Sequence, residues 1–216
     1  IVLLKMKPLQ MDVNTAYLHS NLEEDIYMWG FPGYPLESGY CWKLLKSLYG
    51  LPQAGRNWNK MFVDFLLNLE FKQIREDLCL FILVRGGEIV AIFALYVDDF
   101  IVGTTSDDIE IWLVSEISKN FDIKVIGLPS LLVGISLNWT PTIDGNRFYS
   151  KVHLSISKSI NSLLRLCQMT TANTKSIPAN PSAVLSKTQC PSIEDRLVGE
   201  ILNMQKWYRV IVGTFI

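Results

Sequence analysis

The chain has 216 residues, and 20 Lys and Arg against 21 Asp and Glu leave a formal net charge of −1. That balance excludes a bulk basic surface for nucleic acid, so any such binding has to come from a local patch. Hydrophobic residues make up 49% and aromatics 11%, which is ample for a core and excludes global disorder. Cys41, Cys79, Cys167 and Cys190 are scattered, no Cys-x-x-Cys exists, and His19 and His153 are the only histidines. A zinc site and a disulfide framework therefore have no support, and buried free thiols in a reducing compartment are expected. Ile1 to Pro8 lacks both an initiator Met and a signal peptide, and Val212 to Ile216 is apolar and uncapped. The sequence reads as a piece of a longer polyprotein, intracellular and not secreted.

In chain order, Pro8 to Val13 alternates apolar and polar residues and predicts a short strand with Asp12 near its end. Asp12 is either a helix N-cap acid or a ligand. Asn14 to Leu18 turns into a helical or irregular stretch, and Glu23-Glu24-Asp25 reads as a solvated charge run. Ile26 to Trp29 and Tyr40 to Leu45 have strand composition, with a Gly- and Pro-rich loop between them. Trp58, Met61, Phe62, Phe65, Leu66 and Leu69 fall at helical spacing and predict an amphipathic helix with a buried aromatic stripe. Leu78 to Val84 and Ile89 to Leu95 flank Gly86-Gly87, a hairpin signal.

Leu95-Tyr96-Val97-Asp98-Asp99-Phe100 then places two acids between apolar segments, so a tight hairpin with both carboxylates at its tip is expected. Asp107-Asp108 is a second acidic pair, but it precedes helically spaced Ile109, Trp112, Leu113 and Ile117 and reads as helix N-terminal acid. Asp122 to Ile126 and Leu131 to Leu137 are predicted strands, and Asp144-Gly145 a turn. From Ser155, Ile156, Ile160, Leu163, Leu164 and Cys167 predict a further helix. Residues 170–192 read as a linker and Glu194 to Tyr208 as helical. Together these elements predict an α+β fold: an antiparallel sheet with helices on one face.

If Asp12 and the hairpin tip occupy neighbouring strands, three carboxylates converge, and such a cluster stays ionised only with cations. Oxygen-only ligands suit two Mg²⁺ or Mn²⁺ ions, an arrangement used for in-line phosphoryl displacement. A different Mg²⁺-dependent phosphoryl-transfer enzyme with an acid hairpin would use the same donors.

Four ordered blocks narrow the choice: Gln10 to Leu18, Leu22 to Met28, Lys46 to Ala54, and Leu95 to Asp99. In order and spacing they resemble the reverse transcriptase of copia (Ty1) type LTR retrotransposons, and Tyr208 to Thr214 resembles the segment leading toward its RNase H. The resemblance implies the right-hand polymerase fold: palm with partial fingers over residues 1–150 (fingers-like over about 19–50), a thumb-like helix over 151–170, and a linker toward RNase H over 171–216. It implies that Asp12, Asp98 and Asp99 are the catalytic, metal-binding triad for two Mg²⁺ or Mn²⁺ ions. Tyr17 matches the aromatic under the incoming sugar, Gln53 the glutamine at the incoming nucleotide, and Tyr96, in the block of Asp98 and Asp99, is implied as a third nucleotide-binding residue. Val133-Gly134-Ile135 is similar to the primer-grip hairpin.

The implied partners are an RNA or DNA template with primer, dNTPs, and the rest of a Pol polyprotein, with integrase upstream and RNase H downstream and no membrane. The implied setting is a cytoplasmic virus-like particle or the nucleus. The sequence departs from the family at Pro52, where Lys is usual, and at Gly55, where Pro is usual; acids common near Gly127 to Leu132 are absent. The upstream fingers segment that holds the triphosphate is not among these residues, so the isolated chain is expected to extend primers weakly or not at all. A catalytically inactive retroelement remnant is the alternative reading.

Overall fold

The computed structural model describes residues 1–142 and 149–173. It falls into two units, Ile1–Leu132 with Leu137–His153, and Val133–Ser136 with Leu154–Ile216.

The first unit is built on a six-stranded antiparallel sheet. Its strands are β1 (Lys7–Val13), β4 (Lys72–Gln73), β5 (Leu80–Arg85), β6 (Glu88–Tyr96), β7 (Asp99–Thr104) and β8 (Ile123–Gly127), in the order β4-β5-β6-β7-β1-β8. Strands β5, β6 and β7 form the expected meander. Gly86 and Gly87, at φ 62° and 86°, make the first turn, a geometry that only glycine adopts without strain at both positions.

Strand alternation decides which side chains meet the helices. Leu9, Met11 and Val13 of β1, Phe93 and Leu95 of β6, and Phe100 and Val102 of β7 share one buried face. On that face lie α2 (Ala54–Asn68), contributing Trp58, Phe62 and Leu66, and α3 (Asp107–Asn120), contributing Leu113 and Ile117. The aromatic stripe of α2 is thus core, as its spacing predicts. Phe62 is 0% exposed and stacks on Phe100 with ring centroids 4.5 Å apart. The α+β expectation of an antiparallel sheet with helices on one face holds for this unit.

Several local expectations are corrected. Asp12 is not a helix cap: it lies inside β1, and the short helix α1 (Ala16–His19) follows Thr15 at φ 53°. The charge run Glu23-Glu24-Asp25 is solvated as expected, but it lies within a strand, β2 (Asn21–Met28), which pairs with β3 (Trp42–Lys46) as a separate two-stranded sheet. Cross-strand partners such as Lys43, 2.6 Å from Asp25, offset the repulsion. Ser106 rather than an aspartate caps α3, its hydroxyl accepting from the Ile109 N–H, with Asp107 and Asp108 in the first turn as expected.

Leu131 to Leu137 is not one strand. It splits into β9 (Leu131–Leu132) and β10 (Ile135–Pro141) around Val133 and Gly134, at φ 47° and 78°. β11 (Tyr149–Ser155) completes a three-stranded sheet in the order β11-β10-β9. Residues 151–155 are therefore strand, and the helix expected over 151–170 is α4 (Ser157–Leu166). Within the second unit the Ser159 hydroxyl of α4 donates to the Gly134 carbonyl at 3.1 Å. Cys41 and Cys79 are exposed and Cys167 half-buried, all unpaired, so the described thiols are not the buried ones expected. The Asp144-Gly145 turn, Cys190 and all expectations beyond residue 173 lie outside the described residues.

Candidate active site

The sheet face opposite the helices carries the acids. Asp12 of β1 stands directly across from Asp99 of β7, and Tyr96 of β6 stands across from Asp99 on the other side. Directly opposed residues in an antiparallel pair project to the same face, so Tyr96, Asp99 and Asp12 form one row. Asp98 sits in the two-residue turn joining β6 to β7.

That turn is held at two backbone points. The Trp58 indole N–H of α2 donates to the Val97 carbonyl at 2.6 Å, and the Val13 N–H of β1 donates to the Asp98 carbonyl at 3.0 Å. Val97 needs such anchoring because it has φ 56°, a conformation strained for a β-branched residue. Helix α2 therefore does more than fill the core: it ties the core to the acidic turn.

The acids act on one another electrostatically. The Asp12 carboxyl is pushed above its ordinary value of 3.8, first by partial burial, then by the negative charges of Asp98 and Asp99; Lys124, directly across from it in β8, works in the opposite direction. A native pKa above the unfolded one means that the folded chain binds the extra proton between the two values. Stability is then fully present below the unfolded pKa and falls as pH rises through that window. Asp12→Asn removes the unfavourable charge. It is expected to raise the metal-free melting temperature at pH 7 by about 1–2 °C, given about 2–4 °C per kcal/mol at this size and solvent screening of a half-exposed group. It also flattens the acid limb of stability against pH; a lower melting temperature for the variant would contradict the mutual repulsion.

Tyr17 of α1 reaches the same region. Its ring lies 4.5 Å from that of Tyr49, and the Tyr49 hydroxyl is pushed up by burial, then by the charges of Asp98, Tyr17 and Asp12, opposed by the Ala16 backbone N–H. Tyr17 also faces the start of α2, where a Cβ on Gly55 would stand 3.6 Å from its hydroxyl. Gln53 is the half-buried N-cap residue of that helix and makes no side-chain cap bond. Val133 and Gly134 form the β9–β10 turn, Ile135 opens β10, and all three belong to the second unit.

The donor chemistry, three carboxylates of which two are register partners, fits a hard divalent ion. Among the described residues, however, no set of three or more His, Cys, Asp or Glu side chains is gathered closely enough to hold a metal ion.

Sequence reasoning passed over Gln10, Tyr49, Lys124 and the indole nitrogen of Trp58 as site groups. Gln10 alternates onto the same face as Asp12 and Lys124 onto the face of its register partner, a signal legible in the strand period; the partners of Tyr49 and Trp58 are tertiary.

The strands bring an upstream Asp beside Asp99 and the Asp98 turn, which defines the chain as an α+β domain with carboxylates on the open face of its sheet. The reverse transcriptase (RNA-dependent DNA polymerase) family matches residues 5–181. The chain is 33% identical over 185 residues to a retrovirus-related Pol polyprotein from transposon TNT 1-94 of Nicotiana tabacum, covering 85% of the chain and 14% of that protein. It is 34% identical over 179 residues to the Pol polyprotein from transposon RE1 of Arabidopsis thaliana, covering 82% of the chain and 12% of that protein. A transposon Ty5-1 protein of Saccharomyces cerevisiae is 27% identical over 199 residues, 89% of the chain and 62% of that protein. The chain thus spans a small part of the plant relatives and under two thirds of the yeast one. It belongs to the reverse transcriptase family of copia-type retrotransposon Pol polyproteins.

Among the described residues, no helix is long and apolar enough to cross a membrane.

Proposed function

We propose that this chain is the palm, with part of the fingers and the start of the thumb, of an RNA-directed DNA polymerase. The observation that carries the reading is the register of Asp12 against Asp99 beside the Asp98 turn, in a chain of this family. Asp12, Asp98 and Asp99 are the catalytic carboxylates. The reaction joins the primer 3′-oxygen to the α-phosphorus of a dNTP and releases pyrophosphate. Two Mg²⁺ or Mn²⁺ ions on these acids would supply Lewis-acid stabilisation of the attacking and leaving oxygens. Tyr17, backed by Tyr49, walls the sugar side and disfavours a 2′-hydroxyl. Gln53, at the start of α2, and Tyr96, in the acidic row, contact the incoming nucleotide. Val133, Gly134 and Ile135 grip the primer, with α4 behind their turn as the first thumb helix. The partners are a template-primer duplex, dNTPs and the remainder of a Pol polyprotein, inside the cell.

Primer extension on an oligo(dT)-primed RNA template tests this reading. With a net charge of −1, the 216-residue chain has no bulk basic excess to draw in a triphosphate, so weak extension is expected from it alone. A chimera that adds the upstream residues of the tobacco relative is expected to incorporate dNTPs with Mg²⁺ or Mn²⁺. If that chimera folds yet stays inactive with Mn²⁺, the chain is a catalytically inactive remnant.

A further inference from the structure

Among the described residues, Gln10 is the one polar side chain on the acidic face that is almost sealed from water, at 5% exposure. It lies in β1 two residues before Asp12, across from Ile101 of β7 and Gly127 of β8. Its Nε2 donates to the Leu131 carbonyl of β9 at 3.1 Å and to Asp99 Oδ1 at 3.4 Å. Both partners offer oxygen acceptors, a carboxylate and a carbonyl, so the amide orientation is dictated by its surroundings. The β1–β8 register shifts between Gln10 and Met11, passing from Gly127 to Val125 and leaving Ile126 without a partner. Bulges beside functional sites commonly re-aim a side chain, and this one falls at the residue that touches Asp99.

A buried glutamine with no function here would be costly, because leucine or methionine of similar volume could fill an apolar position without desolvating an amide. The amide is retained where it links two things: the carboxylate of a proposed metal ligand and the backbone of the strand that leads into the Val133–Gly134 turn.

We propose that Gln10 is a positioning residue that orients the Asp99 carboxylate for a divalent cation and ties that orientation to β9. The inference rests on the metal-binding role proposed above for the acids. Outer-shell hydrogen bonds to metal-ligating carboxylates set ligand direction, and their removal typically costs 10–100-fold in metal affinity.

The test is Mn²⁺ titrated into the purified chain and followed by calorimetry, beside the melting temperature of the metal-free protein. Gln10→Met keeps the volume and removes both donors; it is expected to bind Mn²⁺ about tenfold more weakly. Gln10→Asn keeps the amide but is one methylene short of spanning both acceptors, and is expected to fall between the two. It is the variant read if Gln10→Met does not fold. A lowered melting temperature with Mn²⁺ affinity at the wild-type level in the folded variants would make Gln10 a structural residue only and overturn the proposal. Failure of the wild-type chain itself to bind Mn²⁺ would instead remove the metal role of the acids, and this inference with it.

Discussion

Asp98→Asn is expected to lower primer extension on the order of a thousandfold in whichever form of the protein extends, the rate equivalent of about 4 kcal/mol of lost metal-borne stabilisation. The structure makes this a clean substitution. The turn that holds residue 98 is fixed through two carbonyls, that of Val97 by the Trp58 indole and that of Asp98 by the Val13 N–H. Neither bond uses the carboxylate, and Asn is nearly isosteric with Asp. The variant should therefore keep its melting temperature and circular dichroism spectrum while losing activity. Extension within about tenfold of wild type would remove Asp98 from the catalytic set. Unfolding of the variant would mean that the carboxylate has a structural partner, which the backbone anchors give no reason to expect.

Phe62→Ala is expected to cost about 3–5 kcal/mol of folding stability, the usual range for removing a fully buried phenylalanine. Phe62 is completely enclosed, and its ring lies 4.5 Å from Phe100, 5.2 Å from Trp58 and from Phe121, and 5.8 Å from Phe93. These rings come from α2, two central strands and the residue that ends α3, so none can close over the void without moving an element. Urea denaturation followed by tryptophan fluorescence measures the loss as a lower midpoint at unchanged slope. Against a typical total of about 5–15 kcal/mol, the variant is marginal at 37 °C. A loss below about 1.5 kcal/mol would show that the cluster is loosely packed.

Much of the first unit was legible because its elements obey simple periods. The helix carrying Phe62 follows the 3.6-residue spacing of its apolar side chains, and the hairpins follow Gly86-Gly87 and the apolar runs around Asp98. The pairing of Asp12 with Asp99 was expected only conditionally, since nothing local says which strands become neighbours. Where the reading failed, tertiary context had overridden a local preference. Asp12 resembles a helix cap, yet β7 and β8 on either side hold its residues in a sheet. Leu131 to Leu137 looks like one apolar strand, because Val133 carries no hint that it adopts a positive φ. Trp58 was identified as core from its spacing, but its indole acceptor lies 39 residues away. The same holds for Tyr49, whose closeness to Tyr17 arises from the fold and not from the motif around it.

The place of β1 in the sheet has a bearing on how the chain is made. This strand lies between β7 and β8, whose residues leave the ribosome far later than its own. At about 5–20 residues per second, the roughly 85 residues between β1 and β7 take about 4–17 s to synthesise. Until β7 has been made, Leu9, Met11 and Val13 have neither of their two neighbouring strands to pair with, and loop closure over so long a separation is slow even afterwards. The acidic row therefore waits for β7 to join β1. A nascent chain of this fold carries an unpaired apolar strand until the Asp98 turn has delivered β7 to it, and the two acids reach Asp12 in the same step.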